Sequence, residues 1–337
     1  MLLALASLAS VALSECHRRP MPWAHARENR AKSAQLERPG AIPVPEYFHR
    51  WRAAYLTANR EHDRLGLVGG IFLGDASHLA PESHDVFLNA GLAHLLSANG
   101  FKCWIVALVF KLALTLALHV VASHGPALWI LHTRRNGAPL ARLGGAWLFW
   151  FWTCQTPPIN RAVILITSKY FLDLFELRVS YGRLLLIQYL CSLVVVPTLA
   201  HSAGFQLTYG CIAGIIWFPP LVGRWRPAGG GLAAVWDYLC VSTGAVLGGL
   251  PTSIIAFDEI NFMSLTTNWF AVPPVSFLVM PLGLLQMLLL APGLGAESQP
   301  ALHILIDGLG TITAGVAAVE QQLLIYWLKL VPSLRWP

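Results

Sequence analysis

Charge is what this chain has least of. Only 12% of its 337 residues are Asp, Glu, Lys or Arg, while 55% are hydrophobic and the mean hydropathy is +0.57. An ordinary soluble domain carries about twice that charge, about 25%, so a soluble globular class is excluded. Cysteine is scarce too: Cys16, Cys103, Cys154, Cys191, Cys211 and Cys240. None stands in a CxxC or at a Cys/His spacing suited to a metal. Five lie in or beside apolar segments, where Cys packs as a small hydrophobe, so neither a disulfide framework nor a metal site is expected. The chain also lacks an HxHxDH pattern, a Walker loop, an EF-hand loop and any nucleophilic triad signature. No catalytic residue, no cofactor and no enzymatic activity are therefore expected.

What the chain has instead is apolar runs. About eight recur, at 102–131, 143–154, 162–175, 184–200, 204–222, 232–257, 269–291 and 301–330. Crossing about 30 Å of hydrocarbon takes about 20 apolar residues as a helix, and several runs reach that length. The fold class expected is all-α, a polytopic helical membrane protein with some segments broken or re-entrant. The second and third runs are short and are separated by Pro157-Pro158, which suits half-helices or tilted helices. Two domains are expected, an apolar stub with an extramembrane linker over 1–64 and a membrane domain over 65–337. Residues 1–14 are short for a span and lack the basic start of a signal peptide. Glu15 before Cys16 argues against lipidation. The aromatic and basic stretch 47–56, with Arg50 and Arg52, admits two readings. It could stack on single-stranded nucleic acid, or lie on the bilayer as an interfacial helix, and the second is preferred.

The net charge is +6, which suits nucleic acid or anionic lipid, but the positive-inside rule alone makes many membrane proteins basic, and that reading is preferred. Basic clusters at Arg134, Arg135 and Arg142, at Arg178 and Arg183, and at Arg224 and Arg226 alternate with loops free of Lys and Arg at 155–160 and 201–203. A further loop holds Asp258 and Glu259. The basic loops are expected in the cytoplasm and the 17–64 segment outside.

Ionisable groups inside spans are costly and mark candidates for function. They are Lys102, Lys111, His119, Arg161, Lys169, Asp173, Asp237, Asp307 and Glu320. Lys169 and Asp173 stand four apart and can pair on one helix face. Asp307 and Glu320 stand thirteen apart, so they form no local dyad. Gly204 and Gln206 open the fifth run, where small residues and amides favour packing and hydrogen bonding.

The stretch from Gly74 to Ile105, GDASHLAPESHDVFLNAGLAHLLSANGFKCWI, organises the rest. A polar turn leads to a helix start at Pro81-Glu82, a short mixed helix over 85–97, a break at Asn99-Gly100, and then the first long apolar run. Its Gly74, Asp75 and Ser77, and its AGLAHLL followed by Gly100, resemble the signature of the ComEC-type competence proteins, bacterial inner-membrane DNA-uptake channels. TPPINRA with Arg161, SAGFQLTY over 202–209, and SLTTNWFAVPPVSFLVMPLGLL resemble further blocks of that family in the same order.

The resemblance implies a channel subunit that passes single-stranded DNA across the inner membrane during natural transformation. It also implies a multi-pass location in that membrane. Its partners would be single-stranded DNA, membrane lipid, a DNA receptor, a cytoplasmic ATPase or helicase, and further copies of itself. The expected DNA path holds Asp75, His94, Asn99, Gly100, Lys102, Lys111, Arg161, Lys169 and Gln206, because a path for a polyanion needs cations and polar groups. Asn99 and Lys102 stand where the family has Ser and His, and Ala76 where it has Arg. No metallo-β-lactamase-like segment follows the last run, so no DNA-degrading activity is expected. The rival readings are a secondary transporter for a small anion, an intramembrane acyltransferase using His94 or His119, and a degenerate family member without transport.

Overall fold

The computed structural model describes residues 44–122, 127–257, 260–261, 263–291, 299–331 and 335–336. The apolar stub at 1–14, Cys16, and the acidic pair Asp258 and Glu259 lie outside the described residues. The order is α1 (Glu46–Asn59), α2 (Leu67–Leu73), α3 (Pro81–Asn89), a 3-10 turn (Ala93–Leu95), α4 (Gly100–Ala122), α5 (Ala127–Trp152), α6 (Pro157–Leu174) and α7 (Tyr181–Val195). A second 3-10 turn (Pro197–His201), α8 (Ala203–Val222), a third (Gly223–Trp225) and α9 (Gly230–Phe257) follow. The chain continues through β1 (Ile260–Asn261), α10 (Met263–Pro274), a π turn (Val275–Val279), α11 (Met280–Leu289), α12 (Pro300–Leu330) and β2 (Arg335–Trp336). β1 and β2 pair antiparallel, Ile260 opposite Trp336.

The fold is all-α and polytopic in character. Among the described residues, five helical stretches are long and apolar enough to cross a membrane: Gly100–Val120, Ala203–Trp225, Gly230–Ala256, Met263–Leu289 and Pro300–Leu330. The other three of the eight expected runs fall in α5, α6 and α7, which do not meet that measure. α7 is apolar but only 15 residues long. The basic run Arg134, Arg135 and Arg142 is no loop. It lies inside α5, which is continuous from Ala127 to Trp152 with Pro139 within it. Ala, Leu and Arg favour helix, and α5 packs antiparallel along α4. The helix expected over 85–97 runs instead from Pro81 to Asn89, because Gly91 takes a left-handed backbone at φ +74°.

Two compact units hold these elements. One comprises Gly40–Leu184 with Met263–Leu334; the described part of the other is 185–257, 260–261 and 335–336. In the first, α1 is wedged into the core. Trp51 and Tyr55 are buried. Trp51 meets Trp152 edge-on at 4.9 Å and donates its indole N–H to the Met287 carbonyl at 2.5 Å. Phe48 stacks on Phe151 at 4.5 Å. Phe48, Trp51 and Tyr55 of the aromatic stretch 47–56 therefore face protein, while Tyr47 is exposed. All seven residues of α2 are buried. The α10–α11 run is bent differently: Pro273 and Pro274 supply no N–H donors, and the helix widens into the π turn immediately after them.

The second unit is built on four glycines. Gly210 and Gly214 of α8 face Gly244 and Gly248 of α9. A Cβ on Gly214 would lie 1.8 Å from the Gly244 carbonyl oxygen, and one on Gly248 would lie 2.2 Å from that of Gly210. A four-residue spacing puts each pair on one helix face, and absent side chains let the two backbones touch, as membrane helices require. Gly214→Ala should separate these helices and cost about 1–3 kcal/mol. Gly223→Ala, where a Cβ meets nothing within 4 Å, should change little. Thermal unfolding in detergent, followed by tryptophan fluorescence, measures both; equal midpoints for the two variants would contradict the packing.

Candidate functional site

α2 is closed off by Gly74, left-handed at φ +70°, where a Cβ would lie 2.2 Å from the Ala98 nitrogen. Only glycine lets the GDAS turn lie that close to the end of the AGLAHLL block. Asp75, the next residue, accepts the Arg52 guanidinium at 2.6 Å and the Ser77 amide at 3.0 Å. Arg52 also donates to the Trp152 carbonyl at 2.8 Å. One ion pair thus fastens α1, the end of α2 and the end of α5. Burial pushes the Asp75 carboxyl up, but hydrogen bonds from Ser77 and the Arg52 charge outweigh it and hold the carboxyl at about 2. Nearby, Asp63 accepts the amides of Leu67 at 2.9 Å and Val68 at 2.6 Å, capping α2. Asp63, Asp75, Arg60 and His78 line a small open cleft.

The AGLAHLL block sits on the SLTTN block. A Cβ on Gly91 would lie 2.6 Å from the Ser264 Cβ. Thr267 donates its hydroxyl to the Ala90 carbonyl at 2.7 Å. Asn99 then starts α4. Its Oδ1 accepts the Lys102 amide at 3.1 Å, and its Nδ2 donates to the His94 carbonyl at 2.7 Å. Capping needs a short polar side chain, so Asn99 does here what a Ser at that position can do.

Lys102 is fully buried. Its ammonium donates to the carbonyls of Leu95 at 2.7 Å and Ser97 at 2.8 Å. Its charge also interacts with Glu320 of α12, which is 3% exposed and whose two carboxyl oxygens have no hydrogen-bond partner. The PPINRA block closes the other side. Pro157 and Pro158 occupy the first turn of α6, where no N–H is needed. A Cβ on Gly100 would lie 3.3 Å from the Ala162 Cβ and 3.7 Å from the Pro158 carbonyl. Arg161 is buried beside this contact.

Asp75, His94, Asn99, Gly100, Lys102 and Arg161 therefore belong to one neighbourhood of the first unit, with His94 exposed. The remaining three expected residues stand apart from it. Lys111 is exposed two turns further along α4. Lys169 pairs with Asp173 on α6. Gln206 belongs to the second unit, where it donates to the Ala200 carbonyl at 2.9 Å. Ser202, at the head of the same block, caps α8 by accepting the Phe205 amide at 3.2 Å. Glu320, Arg52 and Thr267 were not among the nine expected path residues. For Glu320 the signal was present, an acid in a long apolar segment. Arg52 and Thr267 could be placed only by the fold. Among the described residues no group of three or more His, Cys, Asp or Glu could hold a metal ion.

A helical membrane protein whose distant sequence blocks pack against the stretch that leads into α4 is the class these features define. The sequence model of the Competence protein family matches residues 71–334, most of the chain. The chain belongs to that family and is a competence-related membrane protein. It is 24% identical over 310 residues to the uncharacterized protein YcaI of Escherichia coli, covering 85% of this chain and 37% of that one. It is also 24% identical over 230 residues to ComE operon protein 3 of Bacillus subtilis, covering 68% of this chain and 27% of that one. The chain thus spans about a third of the length of these curated relatives. No solved structure matches it.

The Asp75 carboxyl gives a pH prediction. Its value is near 3.9 in an unfolded chain and about 2 when folded. A depressed carboxylate contributes stability that is complete above about pH 4 and is lost as pH falls through about 2. Asp75→Asn should cost about 2 kcal/mol at neutral pH and flatten that acid limb. Denaturation of both proteins between neutral and acid pH measures this; an unchanged acid limb in Asp75→Asn would contradict the role of the pair.

Proposed function

We propose that this chain forms part of the path by which single-stranded DNA crosses the bacterial inner membrane, acting as a transport subunit and not as an enzyme. The observation that carries the reading is the packing of the PPINRA and SLTTN blocks against the GDAS–AGLAHLL stretch that leads into α4. Membership of the Competence family and the similarity to ComE operon protein 3 support it. Chemically, single-stranded DNA brings one negative charge per nucleotide, and its passage favours cations at the walls. Arg161, on the first turns of α6 and beside the start of α4, is a candidate cation to meet a phosphate. In this reading the turn at Arg178 and the start of α7 at Arg183 face the cytoplasm. The further partners are a DNA receptor outside and a cytoplasmic ATPase or helicase inside.

Chromosomal replacement tests the reading. Arg161→Ala should lower uptake of labelled DNA about tenfold, the scale of one lost charge contact of about 1.4 kcal/mol. Arg161→Lys, which keeps the charge, should retain most of it, and the amount of protein in the membrane should be equal in all strains. Uptake by Arg161→Ala at the unmutated rate would remove Arg161 from the path. Equal uptake with the whole gene deleted would remove the DNA reading altogether.

A further inference from the structure

Glu320 is the only buried carboxylate among the described residues. It lies on the 31-residue α12, 3% exposed, and neither carboxyl oxygen has a hydrogen-bond partner. The other acid of that helix, Asp307, is exposed and is bonded to His62 at 2.9 Å. An isolated carboxylate in an apolar interior is far more costly than the neutral acid. Among the described residues, the cation whose charge acts on Glu320 is the Lys102 ammonium. That ammonium nevertheless donates to the Leu95 and Ser97 carbonyls at 2.7 and 2.8 Å, and not to the carboxyl. A lysine within charge range of an ionised carboxylate, both out of water, would be expected to bond it directly.

The elements packed against α12 offer little competition. α2, α10, the π turn and α11 carry no titratable side chain. On α3, Glu82, His84 and Asp85 are exposed. On α1, Glu46, Tyr47, His49 and Arg50 are exposed, Arg52 is bound to Asp75, and Tyr55 is a buried phenol. His62, in the turn after α1, is engaged by Asp307. On α12 itself His303, Asp307, Tyr326 and Lys329 are exposed.

We propose that Glu320 is a proton-binding site whose occupancy sets the position of Lys102. With the proton bound, Glu320 is a neutral acid and Lys102 stays on the carbonyls of the 95–97 turn. When the O–H bond breaks and the proton leaves to water, the carboxylate draws the ammonium away from those carbonyls, and the turn loses two charge-assisted hydrogen bonds. That turn carries Ala98, on which Gly74 rests, and leads into Gly100, which rests on Ala162. Proton release would therefore loosen the junction of the GDAS, AGLAHLL and PPINRA blocks. The inference does not depend on what crosses the membrane.

Infrared difference spectroscopy on the full chain in lipid nanodiscs tests it, with the glutamate carboxyl carbons isotopically labelled. The expected result is a protonated-carboxyl C=O band that shifts with the label, disappears as pH is raised, and is missing from Glu320→Gln. In parallel, hydrogen exchange of the 93–99 amides should speed up across the same pH step relative to Glu320→Gln measured at each pH. A label-sensitive band absent at every pH in the unmutated protein would overturn the site, and that arm needs no variant to fold. A band that persists in Glu320→Gln would overturn the assignment. A band that titrates while the 93–99 exchange ratio stays constant would overturn the coupling to Lys102.

Discussion

An ammonium held out of water has to find oxygen atoms, and the site is arranged around that need. Lys102 cannot stay buried without strong acceptors, since an unsatisfied buried charge costs several kcal/mol. The acceptors are backbone carbonyls of the turn at 95–97. Carbonyls converge on one point only if the chain there is not a regular helix. That is why α3 must end at Asn89, why Gly91 takes its left-handed backbone, and why a single 3-10 turn follows. Asn99 completes the arrangement by bonding the same turn through its amide and starting α4 through its carbonyl oxygen.

Close backbone contact is the second constraint. Gly74 on Ala98, Gly91 on Ser264 and Gly100 on Ala162 each place a glycine where a side chain would collide or crowd. These contacts join segments that are up to about 170 residues apart in sequence, and they hold without long side chains. Arg52 and Asp75 add an ion pair at the rim, with carboxyl and guanidinium both mostly shielded from water. The result is a junction whose geometry is set by backbone, with charge distributed at a few fixed points.

The class of the protein was legible from the sequence, because apolar length is read directly. So was the family, because its motifs are short, ordered and local. Six of the nine expected path residues fall in one neighbourhood for the same reason: Gly74 to Lys102 is nearly continuous, and PPINRA carries its arginine at a fixed offset from its prolines. What was not legible required pairing across the chain. Nothing local says that Gln206 belongs to a different compact unit, or that Arg52 reaches Asp75. The basic run at Arg134 looked like a loop because charge and Pro139 lowered its hydropathy. In the fold α4 packs along α5, and good helix formers carry the helix through the proline. At 47–56 the pattern of an interfacial helix is also that of a helix buried on one face, so pattern alone does not say that Trp51 and Tyr55 pack into protein.

The central claim is that the start of α4 and the start of α6 lie against each other within one junction. Paired cysteines at Gly100 and Ala162 test it most directly, in a background with the six native cysteines replaced. A Cβ on Gly100 would lie 3.3 Å from that of Ala162, close to the approach of about 3.5–4.5 Å that a disulfide needs. The account predicts rapid disulfide formation under mild oxidation in membranes, seen as a shift in gel mobility that reductant reverses. Two cysteines that each react with a maleimide yet never bridge would contradict it.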